Sequence, residues 1–227
     1  MELDLKKLKL RIINEKLQNL DRKKNERDFV IKNPEGSHAL CAGLTEEMNV
    51  KIKGHVGYYC GGMNQKAAIT IEGNAGTGVG ENMMSGKIHV KGNASQSAGA
   101  TAHGGLLIID GDASSRCGIS MKGVDIIVKG SVGHMSGFMS QSGNLIVCGN
   151  AGEALGDSLY ETNIYIKGKV KSLGADCIEK IMDKKHIKKL NKYLKEANLN
   201  NLKAENFKRY GSARKLYNFK IDNASSY

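Results

Sequence analysis

The chain has 227 residues, 40% of them apolar and 25% charged, with 28 Gly, 1 Pro, 5 Cys and no Trp. That length fits one sizeable domain with a buried core; the scarcity of proline excludes a Pro-rich tail, and no apolar run approaches the ~20 residues of a membrane span. The net charge of +11 looks like a nucleic-acid signal, but it is confined to two arms around a nearly neutral centre, and no nucleic-acid binding is expected from it.

Residues 1–34 form the first arm, in which positions 1–33 hold 10 Lys and Arg against 6 Asp and Glu. Leu10, Ile13, Leu17 and Leu20 recur at helical spacing, which predicts an amphipathic helix. The start MELDLKKLKL is charged where a signal peptide needs an apolar stretch, so a cytoplasmic location is expected. An odd number of cysteines without an export signal points to reduced thiols.

Residues 35–178 carry a repeat. Gly54, Gly73, Gly92, Gly111, Gly130, Gly149 and Gly168 are 19 residues apart, and Gly61, Gly80, Gly99, Gly118, Gly137 and Gly156 repeat the period seven positions later. Four and two residues before the first glycine stand Val, Ile or Leu; two after it stands Ala or Val. Apolar residues at period two that end on a glycine turn are a strand signature, and about ten residues remain per repeat, too few for a crossover helix. The repeat therefore predicts an all-β parallel β-solenoid of about seven 19-residue coils stacked at ~4.8 Å. Each glycine is expected at a sharp turn, often with positive φ, and where the next coil leaves no room for a Cβ. Before Gly54 the pattern is worn, with Glu35 at the glycine phase.

Residues 179–227 form a basic C-terminal helix and tail, with 13 Lys and Arg against 5 Asp and Glu. Asp176 and Glu179 have capping-box spacing. They predict a helix carrying Ile178, Ile181, Met182, Leu190, Tyr193, Leu194 and Ala197 on one face, laid over the end or side of the solenoid. Lys215–Ile221 reads as one more strand. The helix lysines read first as a solvated face and next as a contact for a protein partner.

Three motifs invite chemistry. Gly76-Thr-Gly78-Val-Gly80 follows a strand, but a phosphate-binding loop needs a helix N-terminus and only seven residues precede the next strand. It reads as a solenoid corner. Cys41, Cys60 and Cys117 share a repeat phase, six residues past the glycine, and no Cys-x-x-Cys pair exists; they read as buried core. His103 and His134 are formal candidates for a solenoid acyltransferase, whose coils, however, repeat in multiples of six. No catalytic, cofactor-binding or metal-ligating residue is assigned.

The segments Ser114-Ser-Arg-Cys-Gly-Ile-Ser-Met-Lys-Gly123, Gly133-His-Met-Ser-Gly-Phe-Met139, Cys148-Gly-Asn-Ala-Gly-Glu-Ala-Leu-Gly156 and Ser172-Leu-Gly-Ala-Asp176 resemble the Gly-x-Gly-x-Gly (GXGXG) domain. That domain closes the large subunit of glutamate synthase and occurs as a free subunit in archaeal and N-methylglutamate-synthase-like systems. A more distant resemblance is to the β-helical C subunit of formylmethanofuran dehydrogenase. The resemblance covers residues 35–180 and implies a right-handed β-helix without catalytic residues. It also implies a hetero-oligomer in which separate subunits carry the amidotransferase and the FMN and iron-sulfur sites. This sequence supplies neither: its first cysteine is Cys41, and a flavin barrel takes roughly 250 residues. The expected role is a non-catalytic structural subunit of a glutamate-synthase-type oxidoreductase, with a formylmethanofuran-type scaffold or a solenoid acyltransferase as alternatives.

Overall fold

The computed structural model describes residues 1–20 and 26–213. Its elements begin with β1 (Glu2–Asp4), α1 (Leu10–Gln18) and β2 (Asp28–Lys32). The repeat then adds β3 (Asn49–Lys53), β4 (Ala68–Ile71), β5 (Lys87–Val90), β6 (Leu106–Ile109), β7 (Lys122–Val128), β8 (Ser142–Val147) and β9 (Asn163–Ile166). These strands stack in order and in parallel as a β-solenoid of about seven turns. The register follows the repeat: Val50, Ile69, Ile88, Leu107, Ile126, Leu145 and Ile164 form one ladder, and Ile52, Ile71, Val90, Ile109, Val128, Val147 and Ile166 form a second. Both ladders are buried. Opposite them, Val56, Ala75, Ala94, Ala113, Val132, Ala151 and Val170 pair as single-residue parallel bridges.

The two glycine columns exist for different reasons. Along Gly73, Gly92 and Gly111 the constraint is the neighbouring coil: a Cβ on Gly73 would lie 2.6 Å from the carbonyl carbon of Gly54, and one on Gly92 2.2 Å from Asn74 Oδ1. Positive φ in this column occurs at Gly54 alone, whereas Gly61, Gly80, Gly99, Gly118, Gly137 and Gly156 of the second column all have it, so the left-handed turns that the repeat often calls for fall in the second column. The Asn74 contact belongs to a polar ladder beside these glycines. Asn74 Oδ1 accepts the backbone N–H of Asn93 at 2.8 Å, Asn93 that of Asp112 at 2.8 Å, Asp112 that of Ser131 at 2.7 Å, Ser131 Oγ that of Asn150 at 3.0 Å and Asn150 that of Lys169 at 2.8 Å. Each side chain fills the space that the next coil's missing Cβ leaves. This ladder satisfies amides that the turn takes out of the sheet.

The N-terminal end is closed by α1 and two additional strands. β2 continues the sheet with Phe29 opposite Val50 and Ile31 opposite Ile52, an offset of 21 residues rather than 19. Glu35 is therefore not at the glycine phase; Asn33, which follows Lys32 opposite Lys53 and takes φ +55°, holds that place. Asn tolerates the left-handed region best after glycine. Ile13 and Leu17 of α1 are buried in the core. On the same helix Asn14 Oδ1 accepts the N–H of Cys41 at 2.9 Å while its Nδ2 donates to Ala39 O at 2.8 Å, and Gln18 Nε2 donates to Ala42 O at 2.8 Å. In later coils the amide equivalent to that of Cys41 donates to the preceding coil, as Gly80 does to Cys60 O at 2.9 Å. Asn14 thus replaces a missing coil.

The C-terminal end departs from the expected helix. Cys177–Lys180 is a strand, β10, and Asp176 has φ +60° rather than the extended conformation of a helix N-cap. α2 runs from Lys184 to Glu196, capped by Asp183, whose side chain accepts from the His186 N–H at 3.0 Å. After a short 3-10 turn at Ala204–Asn206, β11 (Lys208–Ser212) inserts antiparallel between β9 and β10. Pairing with β11 outweighs the local capping signal: it buries Cys177 and leaves Ile178 and Ile181 exposed. The strand expected at Lys215–Ile221 lies outside the described residues.

Candidate functional site

The solenoid presents an open sheet face, a helix-covered sheet face and an arc. On the open face Lys53, Glu72, Lys91, Asp110 and Lys129 follow one another along the stack with alternating charge. Asp110 Oδ1 accepts from Lys129 Nζ and from His89 Nε2 at 2.8 Å each, with Lys91 Nζ 3.6 Å from Oδ2. Burial works against ionised Asp110, but the hydrogen bonds from Lys129 and His89 outweigh it and hold the carboxyl below the usual carboxylate range. Burial lowers the His89 pKa against the opposing pull of Asp110, and burial also lowers that of His186. Both imidazoles bind a proton more weakly folded than unfolded, so stability present at neutral pH should be lost as pH falls below the ordinary 6.5. Melting temperature is expected to drop between pH 7 and 5, ahead of the carboxylates. A His89→Gln/His186→Gln variant with an unchanged slope in that window would contradict the assignment.

Farther along, the outward positions equivalent to Lys51, Thr70 and His89 become Ile108, Ile127, Ile146 and Tyr165. This apolar column is the seat of α2, which buries Leu190, Tyr193 and Leu194 together with Ala197, Ala204 and Phe207. Tyr193 O–H donates to Asp125 Oδ2 at 2.8 Å, and Asn144 Nδ2 donates to Asp125 Oδ1 at 2.6 Å and to the Tyr193 oxygen at 3.1 Å. The helix therefore covers a side of the solenoid rather than its end. Lys184, Lys185, Lys188, Lys192 and Lys195 stay exposed; among the described residues only Lys192 has an ion pair, with Glu196 at 3.7 Å.

The arc joins the two ladders on the far side. Within each coil three residues alternate into the left-handed region, as at Tyr59 (φ +60°), Gly61 (φ +65°) and Met63 (φ +54°). The middle one points into the core, where a Cβ on Gly61 would meet Ile88 Cδ1 at 2.7 Å. The outer two lie at the surface and donate their amides to the next coil, Tyr59 to Thr77 O at 2.8 Å and Met63 to Glu81 O at 2.9 Å.

The motifs singled out in the sequence fall on this arc or beneath it. Gly76–Gly80 is an arc segment followed by β5, not by a helix. His103 and His134 are exposed on different columns. Cys60 and Cys117 are buried in one column as expected, whereas Cys41 sits one place on, at the left-handed phase of Gly61, with φ +58°. Leu40 takes the column position instead; the irregular first coil hid this shift. Burial pushes the Cys60 and Cys117 thiols up to about 12 and Cys41 well above the ordinary value. A thiolate-selective reagent at neutral pH should label these three far more slowly than after denaturation. Prompt native labelling of all three would contradict their burial. No three His, Cys, Asp or Glu side chains gather as a metal-ligand group among the described residues.

Comparison with known proteins gives two findings. Residues 11–221 match the family model of the GXGXG motif. The chain is 56% identical over 225 residues to Protein GlxC of Rhizobium meliloti (strain 1021), covering 99% of each chain.

Proposed function

The chain belongs to the GXGXG motif family, and from that premise we propose that it is a non-catalytic structural subunit of a glutamate-synthase-type oxidoreductase. The coarser part, a role related to glutamate synthase, rests on the family and on the GlxC relative. In this reading separate subunits supply the amidotransferase and the FMN and iron-sulfur chemistry, and this chain holds them at fixed separation during synthesis of glutamate or N-methylglutamate.

The observation that carries the reading is how fully the solenoid uses its own polar groups. Arc amides that resemble a phosphate cradle already donate to neighbouring coils, as Gly78 does to Gln96 O at 2.9 Å and Gly80 to Cys60 O at 2.9 Å. Cys60 and Cys117 are three turns apart, roughly 14 Å at the spacing of stacked strands, too far to share a cluster. A rigid rod with interlocked coils suits positioning better than bond making.

Co-expression with the amidotransferase and FMN-binding subunits from the same source tests the proposal. All three are expected to co-elute in size-exclusion chromatography with glutamate-forming activity. Independent elution of this chain from an otherwise active pair would overturn it. The basic segment cannot simply be deleted for this purpose, because α2 with Ala204 and Phe207 covers Ile127, Ile146 and Tyr165, and β11 pairs with β9.

A further inference from the structure

The two sides of α2 differ sharply. Leu190, Tyr193, Leu194 and Ala197 are buried against the sheet. At 3.6 residues per turn Lys184, Lys185, Lys188, Lys192 and Lys195 fall directly opposite them, within roughly a third of the circumference. From Lys184 to Lys195 this stripe runs about 16 Å at the helical rise. The helix holds six lysines, and its only acid is Glu196.

This placement works against the helix that carries it. Like charges four residues apart repel, as Lys184 and Lys188 do, and again Lys188 and Lys192. Lys184 and Lys185 also stand in the first turn, where the free N–H groups already leave positive charge, and that turn holds no acid beyond the cap Asp183. Elsewhere on the chain an acid relieves such lysines, as Glu153 does for Lys171 at 2.9 Å and Glu179 for Lys208 at 3.0 Å. The seating of α2 uses only its apolar side, so packing does not call for lysine on the outer one. A one-signed stripe of this kind attracts and orients an anionic partner.

We propose that the outer lysine stripe of α2 is a docking surface for an acidic surface of a partner protein subunit, with carboxylates spread along about 16 Å. The proposal rests on the scaffold reading. Charge in the stripe itself decides against a second copy: a two-fold contact would set lysine on lysine. A head-to-tail contact would find Glu72, Asp110, Glu153 and Glu179 already paired with this chain's own lysines. Nucleic acid is disfavoured because the helix has no arginine and its one tyrosine is buried, leaving no ring for a base to stack on. A lipid surface would need the apolar side of the helix, which is seated on Ile127, Ile146 and Tyr165. Just ahead of the helix Ile178 and Ile181 are 42% and 82% exposed, and they offer a protein partner apolar contact beside the charged one.

The test compares the intact chain, a Lys184→Gln/Lys185→Gln/Lys188→Gln/Lys195→Gln variant and a Lys53→Gln/Lys66→Gln/Lys87→Gln/Lys122→Gln control that loses the same charge at exposed sites elsewhere. Each is co-expressed with the amidotransferase and FMN-binding subunits. Glutamine keeps helix propensity and relieves the repulsion, so the stripe variant should melt at or above the intact chain. It is expected to recover at least one subunit about tenfold less well, with the control unaffected, and high salt should reproduce the loss in the intact chain. Equal recovery by the stripe variant overturns the docking surface and leaves the scaffold reading standing. A stripe variant that melts several degrees lower shows the lysines to be structural and overturns it too. Failure of the intact chain to recover either subunit overturns both readings. RNA binding, phosphatidylserine-vesicle binding or self-association that the stripe substitutions abolish, with subunit recovery unchanged, would assign the stripe to that occupant and overturn the proposal.

Discussion

Gly99→Val is expected to lower stability by about 3–5 kcal/mol, combining a left-handed penalty with overpacking of the core. Gly99 has φ +67°, and its added Cβ would lie 2.6 Å from Ile126 Cδ1 and 3.3 Å from Leu107 Cδ2. Both neighbours belong to buried strands of the following coils, so neither has free volume to move into. A β-branched residue adds a second rotamer conflict. In a domain of this size the loss should lower the melting temperature on the order of 10 °C. Lys91→Ala leaves Asp110 paired with Lys129 and should stay within about 0.5 kcal/mol. Equal melting of the two variants would contradict the coil alignment.

Tyr193→Ala should cost about 3–5 kcal/mol, because it empties a buried aromatic site between α2 and the sheet. The Tyr193→Phe variant separates packing from polarity. It keeps the ring but removes the hydroxyl that donates to Asp125 and accepts from Asn144, and about 1–3 kcal/mol of the loss should remain. Denaturant melts of the two variants measure the difference directly. A cost under about 1 kcal/mol for Tyr193→Ala would mean that α2 is not seated on Ile127 and Ile146.

The inner ladders were legible because Ile69 and Ile71, and their counterparts every 19 residues, obey two periods at once: alternation within a strand and repetition between coils. The seat of α2 was written in the same way, in the outward change from Lys51, Thr70 and His89 to Ile108, Ile127 and Ile146. It emerges only when outward positions are aligned as a column, as does the Asn74–Asn93–Asp112 ladder. β10 was not legible. Asp176 and Glu179 present a helix cap within four residues, while the strand that overrides them, β11, is about thirty positions downstream and has no periodic signal. The first coil misled for a simpler reason: a 21-residue offset at β2 moved the glycine phase to Asn33, and a 20-residue offset along the arc took Cys41 out of the cysteine column. For the candidate site, residue types supported an expectation, that no catalytic residue is assigned to this chain. The place of Lys184 and Lys185 in the first turn of α2 was not legible, because the capping signal at Asp176 set the start of the helix too early.

The central claim, that this chain positions chemistry carried elsewhere, is tested most directly by purifying it alone and recording its visible absorption and its turnover of glutamine. The expected preparation is colourless and inactive, and colour and activity appear only when the flavin-binding and amidotransferase subunits are added. Stoichiometric FMN or an iron-sulfur spectrum in the isolated chain, or glutamine hydrolysis by it, would contradict the claim.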